Sequence, residues 1–538
     1  MRRSATAGLL ASAALIAGIT AVARLVGFGR LYVFSQTVGD TCLGTAYQTA
    51  NLVPNIVFEV VAGGALAGVL VPVLTGPIGR GETDRASRTA SAALTWSVLG
   101  LVAVAGLLAL LTGPIGRALA GGKTAQDCAE VAPVTATLLL VFLPQIPLYG
   151  IAVVLAGALQ AQRRFLAPAI APLLSSLVVA TGYLGYRLLA PAGVANQLDQ
   201  VPAAALAVLA GGTTAGVLVL ALAHLPALRS GIRWRPTLRF PAEDGALVRS
   251  LALAGIVALL AQQASMLAVA VLANRVGGSG VVNLWSYAWA MFLLPYAVLA
   301  VPVATSAFPG LAEAAEAGTD RLAEAAARAI RLVLLAGAVG AAVLAGTALP
   351  VAWVLVLGPA GSGRPDDLAG GLVAFAPGLL GYALLAVLSR ALYAAGAGRA
   401  AATGTALGWL FALLADLVLV PLAGSDRVVT ALGAGNSIGM TAAGLLLLRA
   451  LAAVTGPAGT QGVIRAVVGA LGVTAAGGLA GWLVVLGLSA EGVPANLLAG
   501  TAAAVAAAAA GLAVTAAVDR RALRAVLGLA GRRSGARS

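Results

Sequence analysis

The stretch Arg24-Leu-Val-Gly-Phe-Gly-Arg30, followed by Asn51-Leu-Val-Pro-Asn55 and then Glu59, sets charged and helix-disturbing residues inside the first two of a long series of apolar segments. A charge at bilayer depth is costly unless it faces water, a partner or a ligand, so these residues are candidates for the lining of a polar cavity. Asn55 and Glu59 are four residues apart and share one helix face, which continues to Gly63. The planar guanidinium of Arg24 or Arg30 suits bidentate binding of a phosphate or carboxylate. Glu59 has two readings, an ion pair with Arg24 or a site for a cation or proton. The pair is favoured, because an unpaired buried carboxylate is expensive. The plainer alternative is that Arg30 snorkels from a helix end and Arg24 pairs with Glu59 for structure alone.

Around this stretch the chain is apolar throughout. Of its 538 residues 60% are hydrophobic and 10% charged, and the mean hydropathy is +0.98. Soluble domains carry roughly 25% charged residues, so this is an all-α polytopic membrane protein. Fourteen segments, from 5–36 and 43–76 to 464–489 and 494–518, reach the ~20 apolar residues that a span requires. Pro54 in the second, and Pro295 and Pro302 in the eighth (281–309), are the expected kink points.

The formal charge of +14 does not point to nucleic acid, because the arginines fall between apolar segments. With the N-terminus in the cytoplasm, 24 of the 33 Lys and Arg fall on the cytoplasmic side, 6 outside and 3 within spans. Both termini are therefore expected in the cytoplasm. Cys42 and Cys128 then both lie on the oxidising outer side and are candidates for a disulfide, the alternative being two unpaired thiols. One His and two distant Cys make no metal cluster, and no nucleotide or hydrolase motif appears. The residues suggest a transporter without a cofactor rather than an enzyme.

The expected organisation is an N-terminal lobe over 1–228, a basic cytoplasmic linker over 229–245, a C-terminal lobe over 246–453, two further helices within 464–518, and a basic tail, 519–538, lying against anionic lipid. Leu311 to Glu324 reads as an amphipathic surface helix. In the second half, Arg390 and Asp416 are candidates for an ion pair, a secondary polar pocket or structural roles. Gln262, beside Gln263, is a candidate polar site or interhelical hydrogen-bonding group. Trp285-Ser-Tyr-Ala-Trp289 reads as an interface belt or a cavity mouth.

Several of these stretches resemble the MurJ/MviN family, the lipid II flippases. Ala23-Arg-Leu-Val-Gly-Phe-Gly-Arg30 is similar to the start of its first helix. Leu52-Val-Pro-Asn55 with Gly64-Ala-Leu-Ala-Gly-Val-Leu-Val-Pro72 is similar to its second. Gly157-Ala-Leu-Gln-Ala-Gln-Arg-Arg-Phe165, Leu294-Pro295, Phe308-Pro309 and Asn436-Ser-Ile-Gly439 follow in the family's order. The resemblance implies two six-helix lobes of the MOP exporter (MATE-like) type, followed by two C-terminal helices that form a groove for a lipid tail. It implies alternating access, with Arg24 and Arg30 binding the diphosphate of an undecaprenyl-linked cell-wall precursor, lipid II or a relative. It implies coupling to membrane potential, with Na⁺ or H⁺ as candidate ions, and partners among cell-wall synthesis proteins. The chain departs from the family's pattern at Thr45, at Phe58 and Glu59 where the family has paired arginines, and at Ala290. Two other readings stay open: an exporter of soluble substrates coupled to H⁺ or Na⁺ through Glu59 or Asp416, and a non-transporting scaffold in a cell-wall complex.

Overall fold

In lipid every backbone N–H and C=O must be satisfied internally, which leaves helices as the economical structure for so apolar a chain. The computed structural model, which describes residues 2–61, 67–229, 231–358, 360–361, 363–488 and 490–518, is mostly helical and has no strand among those residues. The tail 519–538, Gly63, and Gly64 to Leu66 of the second-helix motif lie outside the described residues.

The chain divides into two compact units. The first comprises Met1–Gln263 with Gly278–Gly280 and Pro359–Ser362; the second comprises Ala264–Gly277, Val281–Gly358 and Gly363–Ser538. In order, the helices of the first unit are α1 Arg2–Thr37, α2 Cys42–Val60, α3 Ala67–Gly79, α4 Thr83–Leu110, α5 Thr112–Leu119, α6 Lys123–Asp127, α7 Val131–Phe142, α8 Gln145–Ala161, α9 Leu166–Leu189 and α10 Ala203–Leu222. The helix α11, Ala242–Leu272, crosses the division, which falls within it and not in the 229–245 linker. The second unit continues with α12 Val281–Pro295, α13 Val301–Glu316, α14 Thr319–Gly346, α15 Ala348–Val356, α16 Pro365–Phe375, α17 Gly378–Ala394, α18 Gly398–Ala423, α19 Val428–Thr455, α20 Val463–Leu488 and α21 Gly492–Val518.

Among the described residues eleven helices are long and apolar enough to span a bilayer, or twelve if α16 and α17, bent by 41° at Ala376-Pro377, form one broken span. These twelve coincide with the third to fourteenth apolar segments of the sequence. The first segment is the single helix α1, and the second is α2 and α3 on either side of residues 62–66. The eighth is interrupted where Pro295 removes a backbone donor: a π-helical turn, Tyr296–Ala300, joins α12 to α13. Pro54, by contrast, is buried inside α2, which continues to Val60. Leu311 to Glu324 is not a separate surface helix. It forms the end of α13 and the start of α14, meeting at Gly318, whose φ of +116° only glycine adopts readily, and Leu311 and Leu322 are buried.

Helix pairs approach closely where both sides lack a Cβ. A Cβ on Gly212 of α10 would lie 2.7 Å from the Gly182 Cα of α9, and one on Gly481 of α20 would lie 2.8 Å from the Gly346 Cα of α14. Small residues are what allow such approach in lipid. The second contact seats α20, and with it α21, against the helices of the second unit.

Candidate functional site

The polar residues singled out above lie on α1 and α2 of the first unit. Arg24 is exposed and Arg30 half-buried on α1; Asn55 and Glu59 are exposed along one face of α2. No ion pair joins Arg24 to Glu59, so the pairing expected between them is not formed. The Arg30 guanidinium is instead within electrostatic reach of the hydroxyls of Tyr47, Tyr149 and Tyr183, and Glu59 is within reach of Tyr149. Tyr149 of α8 packs on Phe58 of α2 with ring centroids 4.5 Å apart. Phe58 and Tyr149 thus join Arg30 and Glu59 in one constellation. The sequence carried a faint sign of this, a tyrosine in an otherwise apolar span.

Beneath this face α2 is anchored by a buried network. The Tyr47 hydroxyl lies 2.9 Å from that of Tyr183 and 2.8 Å from the Thr213 hydroxyl, which donates to the Leu209 carbonyl at 3.0 Å. The Tyr47 ring sits 5.2 Å from Phe34 and 5.4 Å from Phe142. Buried hydroxyls that satisfy one another hold α2, α9 and α10 in a fixed register, with the Phe34 ring of α1 packed on them. The N-terminus of α2 is capped by Thr41 Oγ1, which accepts from the Gly44 N–H at 3.1 Å. It is also tied by a disulfide between Cys42 and Cys128, with Cα atoms 5.7 Å apart, and by the Asn196 side chain, which accepts from the Cys42 N–H.

The second unit treats its polar residues differently. Arg390 and Asp416 do not pair. Arg390 donates to the Ala386 carbonyl at 2.6 Å and to the Thr305 hydroxyl at 3.4 Å, and is within electrostatic reach of Tyr296. Asp416 is 2% exposed on α18 and packs against Gly435 of α19, and its Oδ1 has no hydrogen-bond partner among the described residues. The neighbouring Asn436 Nδ2 is likewise unpartnered. Gln262 is half-buried and Gln263 buried on α11. Trp285 and Trp289 are not a lipid-facing belt. They stack on each other at 6.1 Å, and Trp289 packs against Phe292 and Trp409 in the interior of the unit.

Long lipid-length helices in two units, with charged and amide groups presented on helix faces of the first, are those of a multi-pass membrane protein. A family model described as "Lipid II flippase MurJ" matches residues 34–502. This chain belongs to the MurJ family of lipid II flippases. Its relatives include the lipid II flippase MurJ of Burkholderia cenocepacia, 25% identical over 78% of this chain and 80% of that one. Another is a probable lipid II flippase MurJ of Rhizobium meliloti, 28% identical over 57% of this chain and 55% of that one. Among solved structures, a lipid II flippase MurJ in an inward closed conformation matches with a TM-score of 0.69 at 16% identity, covering 92% of this chain and 98% of that one. An inward-facing multidrug resistance MATE transporter of the MOP superfamily matches at 0.66, also at 16% identity, over 80% of this chain and 95% of that one. At that identity both likenesses speak for the fold alone.

Proposed function

We propose that this protein moves a lipid-linked precursor bearing a diphosphate, lipid II or a close relative, across the bacterial cytoplasmic membrane for cell-wall synthesis. The observation that carries this reading is membership of the MurJ family across residues 34–502. Arg24 and Arg30 are the residues for the diphosphate, since neither forms an ion pair among the described residues and a guanidinium can engage two phosphate oxygens at once. Transport proceeds by alternating access and makes no covalent change to the cargo, so no catalytic residue is assigned. Both termini lie in the cytoplasm, as the arginine distribution favours. Coupling is to membrane potential, Na⁺ or H⁺. The unpaired, exposed Glu59 favours a second reading, a MATE-like exporter in which that carboxylate carries the coupling ion.

The test is rescue of a bacterial strain depleted of its essential lipid II flippase. The wild-type chain is expected to rescue, and Arg24→Ala and Arg30→Ala each to abolish rescue at unchanged membrane levels. Rescue that survives both substitutions would overturn the assignment of the diphosphate to these arginines. Failure of the well-inserted wild-type chain to rescue, together with proton- or Na⁺-driven export of a soluble cation that Glu59→Gln abolishes, would establish the second reading.

A further inference from the structure

The segment joining α10 to α11 is pinned along α4, within the first unit. Ser87, Ser91 and Thr95 recur every fourth residue and present one hydroxyl per turn. They accept the backbone N–H groups of Arg233, Arg235 and Thr237 at 3.0, 3.0 and 3.2 Å. Four residues of helix advance about 6 Å and two of extended chain about 6.6 Å, so the two ladders stay in step over three rungs. Ser91 also donates to the Arg233 carbonyl, and Trp96 Nε1 donates to the Leu238 carbonyl at 3.0 Å.

The strap alternates as an extended chain must. Ile232 is buried, and Trp234 and Phe240 pack with it against the cluster formed by α3, α4 and α8. Arg233, Arg235 and Arg239 point the other way and are exposed. Among the described residues only Arg233 forms an ion-pair contact, with Asp84 at 3.9 Å, and both side chains are largely solvated, so that contact neutralises little. Beside this row Leu238 is 52% and Trp96 54% exposed. A fixed line of guanidinium groups with apolar and indole side chains at its edge matches the headgroup layer of a membrane, where anionic phosphates meet the first acyl carbons. A soluble acidic partner would need the charges but not the flanking Leu and Trp.

We infer that the strap over residues 232–240, held to α4 by the Ser87, Ser91 and Thr95 hydroxyls, is a docking surface for anionic lipid headgroups. The inference does not depend on which cargo the protein carries. Because the hydroxyl ladder holds the arginines in line, their affinity for lipid rests on α4 as well as on their own charge.

The experiment uses the full chain, purified and delipidated in detergent. It measures the thermal midpoint and, by native mass spectrometry, the lipids retained after adding phosphatidylglycerol or phosphatidylcholine. Phosphatidylglycerol is expected to raise the midpoint and remain bound, and phosphatidylcholine to do neither. Each arginine near a membrane surface is worth roughly fivefold in binding. The variant R233Q/R235Q/R239Q should therefore bind phosphatidylglycerol on the order of a hundredfold more weakly. A matched R321Q/R328Q/R449Q variant, which removes three exposed arginines of the second unit, should bind as wild type. Ser91→Ala keeps every charge, and is expected to weaken phosphatidylglycerol binding by about the worth of one arginine. Equal response to both lipids, unchanged binding by the strap variant, or equal loss in the matched variant would overturn the inference. So would protection of the strap by an acidic protein in place of phosphatidylglycerol. Rescue assays do not enter, so failure here and failure of the flippase reading are separate results.

Discussion

Two carboxylates sit within apolar spans, one in each unit, and they are housed in opposite ways. Glu59 stands exposed on α2 beside Asn55, with no cation bound to it by the protein. Asp416 is sealed between α18 and α19 under Gly435, a position where any side chain would collide with it. The cations follow the same division. Arg24 is exposed on α1, whereas Arg390 is tied to a carbonyl and a hydroxyl of its own unit. The first unit leaves these charges exposed, and the second encloses or bonds them. Charge at membrane depth is thus not one signal but two, and only the packing around it separates them.

The contrast is most sharply broken at Gly435. Gly435→Leu drives a side chain into Asp416 and its backbone, and is expected to cost about 3 kcal/mol or more and to abolish accumulation in the membrane; normal expression would mean that Asp416 is less enclosed than described. Next in size is the bond that anchors α2. The double variant Cys42→Ser, Cys128→Ser should lose about 2–4 kcal/mol, read as a lower unfolding midpoint that reductant reproduces in the wild-type chain but not in the variant. Arg390→Gln should cost about 1–2 kcal/mol through its lost charged hydrogen bonds. By comparison, Glu59→Gln and Arg24→Gln should each change stability by less than about 0.5 kcal/mol while altering transport. A stability loss at Glu59 equal to that at Arg390 would erase the distinction. The smallest effect concerns Glu82, in the turn between α3 and α4. A hydrogen bond from Arg80, with the charges of Arg80 and Arg85, holds its carboxyl below the usual range. A lowered folded pKa stabilises above the unfolded value, and that contribution fades as pH falls through the folded one. Since Glu82 lies on the surface, Glu82→Gln should leave the dependence of the midpoint on pH between 8 and 5 unchanged.

Much of this architecture could be read from residues alone, because an apolar run of bilayer length has few alternatives to a helix. The break after Pro295 was legible for the same kind of local reason, a missing backbone donor. Partnerships across space were not. Periodicity put Asn55 and Glu59 on one face but gave no hint that Tyr149, nearly a hundred residues on, would pack against Phe58 beside them. Nor did it show that Arg24 and Glu59 would remain apart. The strap was half-visible: Ser87, Ser91 and Thr95 form a hydroxyl stripe, and 232–240 alternates apolar with basic residues. Each pattern is commonplace alone, and only their matched repeat distances make them partners.

The disulfide carries one more consequence, which is a matter of parity. Two cysteines can be joined only from the same side of a bilayer, so the chain between Cys42 and Cys128 must cross it an even number of times. In that interval α4 crosses once, while α5 and α6, at 8 and 5 residues, are far too short to cross. What remains is α2 and α3, and together they must supply an odd number. A re-entrant hairpin that returns to its starting side is excluded, and the pair counts as a single passage. One buried covalent bond thereby settles the parity of the chain's route through its second apolar segment.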